Sequence, residues 1–361
     1  MSDRDWFDDY EQEALRKGDR ERLLLGYLHW QAYQFRETDP DTTLTLLEQG
    51  RALASRLGEP WWVLFYQQQR VHALLHFKQD YREVLDLAIA NVMEVRKPAF
   101  ARFPRANMIH SDLVSAYRGI DPVGYDDTIT QALDYLDSQI GELNSERYLL
   151  LGARRQQALY CGRLEEARHY AQATLVLAEK DPDVGRANHF SVFAQGGICE
   201  VAFLQGQWDI LREAVVVGEE LAARVGHQVE LAGFRLWHAL VCYRDGERVR
   251  ARSLHRQAVG QLARLRMPPD YSYRDAECCF HEMTGHPERA LRVRDAELAS
   301  IRDRGRFFYE AELQVKRCEL LVRLGKLTAN DEEMTRQAIA RLRQPARLLQ
   351  RLECLLGKEC P

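Results

Sequence analysis

Tight turns recur along this chain on a beat of about forty residues. Gly162, Gly206, Gly246, Gly285 and Gly325 follow one another at 44, 40, 39 and 40 positions. Extended towards the N-terminus, the same beat falls on Gln79-Asp80 and on Ile120-Asp121. A fixed period of this length is the mark of stacked supersecondary units, each unable to bury its apolar face alone. Between the turns the periodicity is helical. Leu164, Ala167, Ala171, Leu175 and Ala178 draw one apolar stripe, as do Trp208, Leu211, Val215, Gly218, Leu221 and Val225, and again Phe308, Ala311, Val315, Cys318 and Val322. No Asn-Gly or Asp-Gly hairpin with alternating flanks is found. Each beat therefore predicts two helices of roughly 15–20 residues, the length of a helix hairpin.

The breaks agree with this. Asp39-Pro40, Asp121-Pro122, Asp181-Pro182 and His286-Pro287 each read as a cap followed by proline at the first helical position, where the missing N–H costs nothing. Gly58, Gly226 and Gly305 read as helix C-termini. The turns also share chemistry. Gly162-Arg163-Leu164-Glu165-Glu166-Ala167, Gly246 to Ala251 and Gly285 to Ala290 all place alanine five positions after the glycine, where a small residue lets two helices approach. Gly206 departs with Leu211, and Gly325 with Asn330. Seven positions before the glycine stand Cys199, Ala239, Cys278 and Cys318.

This pattern resembles the tetratricopeptide repeat over roughly residues 60 to 343, in a long-helix variant whose period exceeds the usual 34 residues. Arg154 and Arg155 depart from it, standing where leucine and a small residue are expected. The resemblance implies an all-α, right-handed superhelical solenoid of about 7–8 antiparallel hairpins. Residues 1–58 are expected to form N-terminal capping helices and 59–343 the repeat array. Residues 344–361 are expected to form a C-terminal capping helix and tail, with Leu348, Leu349, Leu352, Leu355 and Leu356 as its apolar face.

Composition narrows the role. At 361 residues the chain exceeds the ~250–300 at which a single core stops growing. Lys+Arg 50 against Asp+Glu 54 leaves a net charge of −4, which removes the usual warrant for non-specific nucleic-acid binding. Eight cysteines without a CxxC pair predict free thiols in a reducing cytoplasm. The N-terminus, with Asp3, Asp5, Asp8, Asp9, Glu11 and Glu13, is the opposite of a secretory signal. No apolar run approaches the ~20 residues of a membrane span. A soluble, cytoplasmic protein is the expectation.

Catalytic motifs are missing: no GxSxG, GxxxxGK[ST] or GxGxxG occurs. His281-Glu282-Met283-Thr284-Gly285-His286 imitates a zinc-protease motif, but its histidines are five apart with a glycine between them. Cys278, Cys279, His281 and His286 lack paired metal-ligand spacing and read as core thiols beside a turn. Gly196-Gly197 reads as close helix packing and Trp61-Trp62 as core. The arginines from Arg244 to Arg266 read as a solvated face over inward Val249, Ala251, Leu254, Ala258 and Leu262. No cofactor, metal or catalytic residue is assigned.

The resemblance implies a ligand groove along the first helix of each hairpin. In its register that groove holds Tyr66 and His76; Asn107, His110 and Tyr117; Gln156; Phe193, Glu200 and Phe203; Tyr243; Asp275 and Glu282; and Glu312 and Glu319. The first half is aromatic and histidine-bearing. The second half carries carboxylates, which predicts a preference for a basic segment. The expected function is a non-enzymatic scaffold or adaptor that binds a protein or peptide. The alternative is a sensory or regulatory protein that binds a peptide or small ligand and acts through a partner chain, like the helical arms of bacterial transcription activators. The repeats leave no segment of ~60 residues for a DNA-binding domain. Terminal helices with incomplete caps could pair two copies of the chain.

Overall fold

The computed structural model describes residues 3–36, 38–140, 145–265 and 271–357. Among these there are eighteen α-helices and no strand. Helix α1 (Asp3–Lys17) precedes eight hairpins. They are α2 (Arg20–Phe35) with α3 (Pro40–Arg56), α4 (Pro60–Ala73) with α5 (Val84–Val95), and α6 (Ala106–Ile120) with α7 (Asp126–Gln139). There follow α8 (Ser145–Tyr160) with α9 (Leu164–Glu179), α10 (Val184–Leu204) with α11 (Trp208–Val225), and α12 (Gln228–Arg244) with α13 (Arg248–Arg264). The series ends with α14 (Tyr271–Met283) and α15 (Pro287–Ile301), α16 (Phe307–Arg323) and α17 (Ala329–Ala340), and the single helix α18 (Ala346–Leu355). The beat of turns is thus the beat of hairpins, and α2 with α3 extends it one step into the segment expected only to cap. The chain divides into two compact units: Met1–Asp121 with Asp127–Gln139 and Asp303–Arg306, and Pro122–Asp126 with Ile140–Arg302 and Phe307–Pro361.

The turn chemistry acts as its residue types require. Gly162, Gly206, Gly246, Gly285 and Gly325 all have positive φ, and Gln79 takes the left-handed conformation on the same beat with φ 53°. Ala167, Leu211, Ala251 and Ala290, five residues past their glycines, are fully buried. Cys199, Ala239, Cys278 and Cys318 are buried on the preceding helix, so the thiols serve as small core side chains. Asp39 caps α3 through a bond from the Thr42 N–H at 3.1 Å, with Pro40 at the first position. Two proline readings shift. Helix α10 is capped by Asp183 and not by Asp181, and α7 starts at Asp126, beyond Pro122. In both places a carboxylate nearer the helix takes the cap or the turn runs on, so proline stays in the loop. Val249 is exposed on α13, outside the stripe of Ala251, Ala258 and Leu262. Cys354 is disulfide-bonded, which corrects the expectation of thiols throughout; the other described cysteines are free.

Close approach between hairpins uses glycine and an aromatic ring. Gly50 on α3 lies under the Tyr66 ring of α4, and Gly218 on α11 under the Phe234 ring of α12. The spacing is sixteen residues in both, from the second helix of one hairpin to the first of the next. A Cβ at either glycine would overlap the ring. Arg155 similarly lies against Gly197, its guanidinium donating to the Phe193 carbonyl. This accounts both for Gly197 in mid-helix and for an arginine where the repeat expects a small residue.

In the second unit the first hairpin meets the last. Tyr160, at the end of α8, packs edge-on against Tyr309 of α16 at 5.4 Å, and Arg347 of α18 donates to its carbonyl at 3.3 Å.

Gly218→Ala should lower stability by about 1–3 kcal/mol through overpacking, although alanine is the better helix former by ~1 kcal/mol. Gly260, exposed on α13 with nothing near its missing Cβ, provides the comparison. Gly260→Ala should raise stability by about 0.5–1 kcal/mol. Urea midpoints of the two variants will move in opposite directions if ring-on-glycine packing sets the spacing, and in the same direction if it does not.

Candidate functional site

Consecutive first helices touch one another within each unit. In the first unit, the Tyr66 hydroxyl donates to the Leu25 carbonyl of α2, and Gln68 and His72 of α4 reach Asp112 of α6. In the second unit, Tyr148 of α8 stacks on Phe190 of α10 at 4.5 Å, and His189 and Phe193 pack on His227, the residue that opens α12. Trp237 of α12 meets Tyr273 of α14 at 5.0 Å, and Lys316 of α16 reaches Asp275 of α14 at 2.7 Å. The row on which the sequence register placed the groove therefore exists as a continuous side-by-side layer in each unit.

The residues placed on that layer have different fates. Tyr66 is 1% exposed and pressed on Gly50, so it belongs to the core and lines no groove. His110 is buried with its ring 4.6 Å from Tyr135, and burial lowers its pKa to about 4. Phe203 packs on Trp208, and Tyr243 on Phe280. Asn107, Tyr117, Gln156, Phe193 and Glu200 are half-buried along the layer, and His76 is exposed.

The acidic half corrects an expectation. Asp275 is paired with Arg294 and Lys316, Glu282 with Arg323, Glu312 with Lys316 at 3.3 Å, and Glu319 with Arg351 at 2.6 Å. These carboxylates already hold the chain's own cations, so the electrostatic reason to attract a basic segment falls away. The cluster of Cys278, Cys279, His281 and His286 is dispersed as well. The Cys278 thiol points at the Ala290 carbonyl, His286 is exposed, and His281 turns instead towards His255 and Glu277.

The first unit holds a group that the register only grazed. Tyr27, Trp30 and Tyr33 remain half or more exposed on α2, with Tyr27 and Trp30 stacked at 6.0 Å. The Arg36 guanidinium lies 3.5 Å over Tyr33 and 5.8 Å from Phe77, and Phe77 packs on His72. Contact continues through His72 to His76, ring centroids 4.4 Å apart, and through Asp112 to Gln68 and Gln69. Aromatic faces thus run directly into a polar network. His76 lies within a π-helical turn, Leu74–Lys78, of the kind often found at functional sites. It reaches solvent, yet desolvation by its neighbours, with the adjacent His72, lowers its pKa to about 4. Tyr27, Trp30 and Tyr33 were readable as an aromatic series three residues apart, and His72 with His76 as a pair four apart. Asp112 joins them only through the fold. An open hollow of about 740 Å³ lies between α3, α4 and the turn that leads to α5, but charges on its wall are already paired: Lys78 with Asp41, Asp80 with Arg82, and Glu48 with Arg51.

No protein-family model matches the sequence, and no curated protein matches it. Solved structures do match. The crystal structure of NprR in complex with its cognate peptide NprX aligns over 94% of this chain and 94% of that chain, with a TM-score of 0.62 at 13% identity. The chain has a tetratricopeptide-like helical-repeat fold. At that identity the agreement is one of backbone path, set by helix length and turn spacing. No helix among the described residues is long and apolar enough to cross a membrane.

The second unit of this tetratricopeptide-like stack carries a buried ionic group with a titration of its own. Glu297 of α15 accepts from Arg294 at 2.8 Å, with Asp275 and Lys316 close by. Burial, reinforced by the Asp275 charge and opposed by Arg294 and Lys316, raises its pKa from 4.5 to about 7. The folded chain therefore keeps a proton that the unfolded chain releases. The resulting stability is complete below about pH 4.5 and is lost as pH rises through about 7. Glu297→Gln should remove on the order of 2–3 kcal/mol of pH dependence between pH 5 and 8. Melting curves at both pH values check this; an unchanged slope in the variant would show that Glu297 is ionised throughout.

Proposed function

We propose that this chain is a non-enzymatic peptide-binding protein that holds an extended peptide along the first helices of the first unit. The observation that carries the reading is the exposed series Tyr27, Trp30 and Tyr33, which runs without a gap into the amides and imidazoles of α4 and its π-helical turn and the Asp112 carboxylate of α6. Aromatic rings supply rigid apolar area at small entropic cost. Gln68, Gln69 and the histidines supply donors and acceptors suited to a peptide backbone. The likeness of fold to a protein solved with its cognate peptide supports the same reading.

Because the exposed side chains of this site are the rings of Tyr27, Trp30 and Tyr33, the preferred peptide should be apolar or aromatic rather than basic. Selection of a displayed peptide library on the full chain should enrich such sequences. Trp30→Ala and Tyr33→Ala should each weaken a selected peptide by about tenfold or more, as aromatic anchors do, while Glu282→Lys should leave its affinity unchanged. A peptide indifferent to both aromatic changes, or one lost with Glu282→Lys, would move the site to the second unit.

A further inference from the structure

Several buried carboxylates among the described residues are held by cations. Asp275 has Lys316 at 2.7 Å, Glu277 has Arg274 at 2.7 Å and Asp331 has Arg317 at 2.6 Å. Asp112 is the contrast. Its side chain is 5% exposed, and its partners are the Gln68 amide at 2.6 Å and the His72 ring at 3.3 Å. No Lys or Arg pairs with it, so its oxygens retain capacity for a cation. Its Oδ1 faces an imidazole nitrogen, and a second imidazole stands beside the first.

We propose that His72, His76 and Asp112 bind one divalent transition-metal ion of the zinc class. The donor set is two imidazoles and one carboxylate, a combination that suits zinc and its neighbours. His72 and His76 are four residues apart on one continuous helical stretch, and Asp112 comes from the adjacent first helix, so the fold brings the third donor to a pair that the chain already sets side by side. One donor atom from each lies within 4.8 Å of the other two. Zinc bound at ~2.0–2.2 Å needs donors roughly 3–3.5 Å apart. His72 Nδ1 and Asp112 Oδ1 already stand at 3.3 Å. His76 is the exposed member, so its ring can turn to close the rest.

The surroundings are those of a ligand set. Gln68 fixes the second Asp112 oxygen, and Gln69 in turn donates to Gln68 at 2.7 Å, an outer shell of the kind that orients metal ligands. Three protein donors leave a coordination position open for water or an incoming carboxylate. The other cluster of this type, His255 with Glu277 and His281, differs at its carboxylate, which Arg274 already holds.

The test is titration of the chelator-stripped full chain with Zn(II) by calorimetry, and with Co(II) by visible absorption, which reads coordination directly. No peptide is present, so the outcome is independent of the peptide-binding reading. One equivalent should bind. His76→Ala, which alters an exposed side chain, should weaken binding at least tenfold, as should Asp112→Asn. Gln68→Ala should weaken it by about tenfold, and His255→Ala should leave it unchanged. Failure to take up one equivalent, uptake indifferent to His76→Ala, or uptake lost with His255→Ala would each overturn the assignment.

Discussion

A two-helix hairpin in water has an apolar face and nothing to put against it. Much of this chain follows from the way that face is covered, chiefly by the next hairpin and at the ends by single helices that carry Trp6 or Leu352. The cover must be close, because dispersion and exclusion of water both fail across a gap. This is why small residues mark the places where helices meet: alanine five positions after a turn, cysteine or alanine seven before it, and glycine where a ring has to enter. Tyr66 on Gly50 and Phe234 on Gly218 are the same solution used in each unit.

That logic decides what could be read from the sequence. A turn glycine must adopt positive φ whatever surrounds it, so the positions of Gly162 through Gly325 were visible as a period and the hairpins with them. The cysteines were legible as core because their register matched Ala239. Caps were less so, since Asp181 and Asp183 are equally good acceptors and only the helix start decides between them. The candidate site was legible in part. A first-helix layer follows from the register, but which of its side chains stay open depends on packing across helices. That is why Tyr66 and His110 were lost to the core. Pairing across forty or so residues, such as Lys316 with Asp275 and Arg323 with Glu282, lies outside local pattern altogether. A carboxylate read alone predicts a basic partner; read with its neighbour it predicts none.

The two units use polar residues differently. In the second, charges face one another across successive helices and satisfy themselves, which fixes the stacking register but leaves little field for a ligand. In the first, the polar groups between α4 and α6 are amides, imidazoles and one carboxylate, and they border exposed rings. Such a surface has directional hydrogen-bonding capacity and weak net charge. It discriminates by shape and pattern more than by long-range attraction, so recognition there should depend little on ionic strength.

The contacts of Tyr160 with Tyr309 and Arg347 have a consequence for how the second unit comes apart. An open row of repeats unfolds like a zipper, fraying from whichever end is weaker, because each member knows only its neighbours. Here residues 187 positions apart are joined. Loss of α18 would strip a contact from α8, and loss of α8 would strip one from α16. The two ends that ought to fray first hold each other, which converts a graded array into something closer to an all-or-none body.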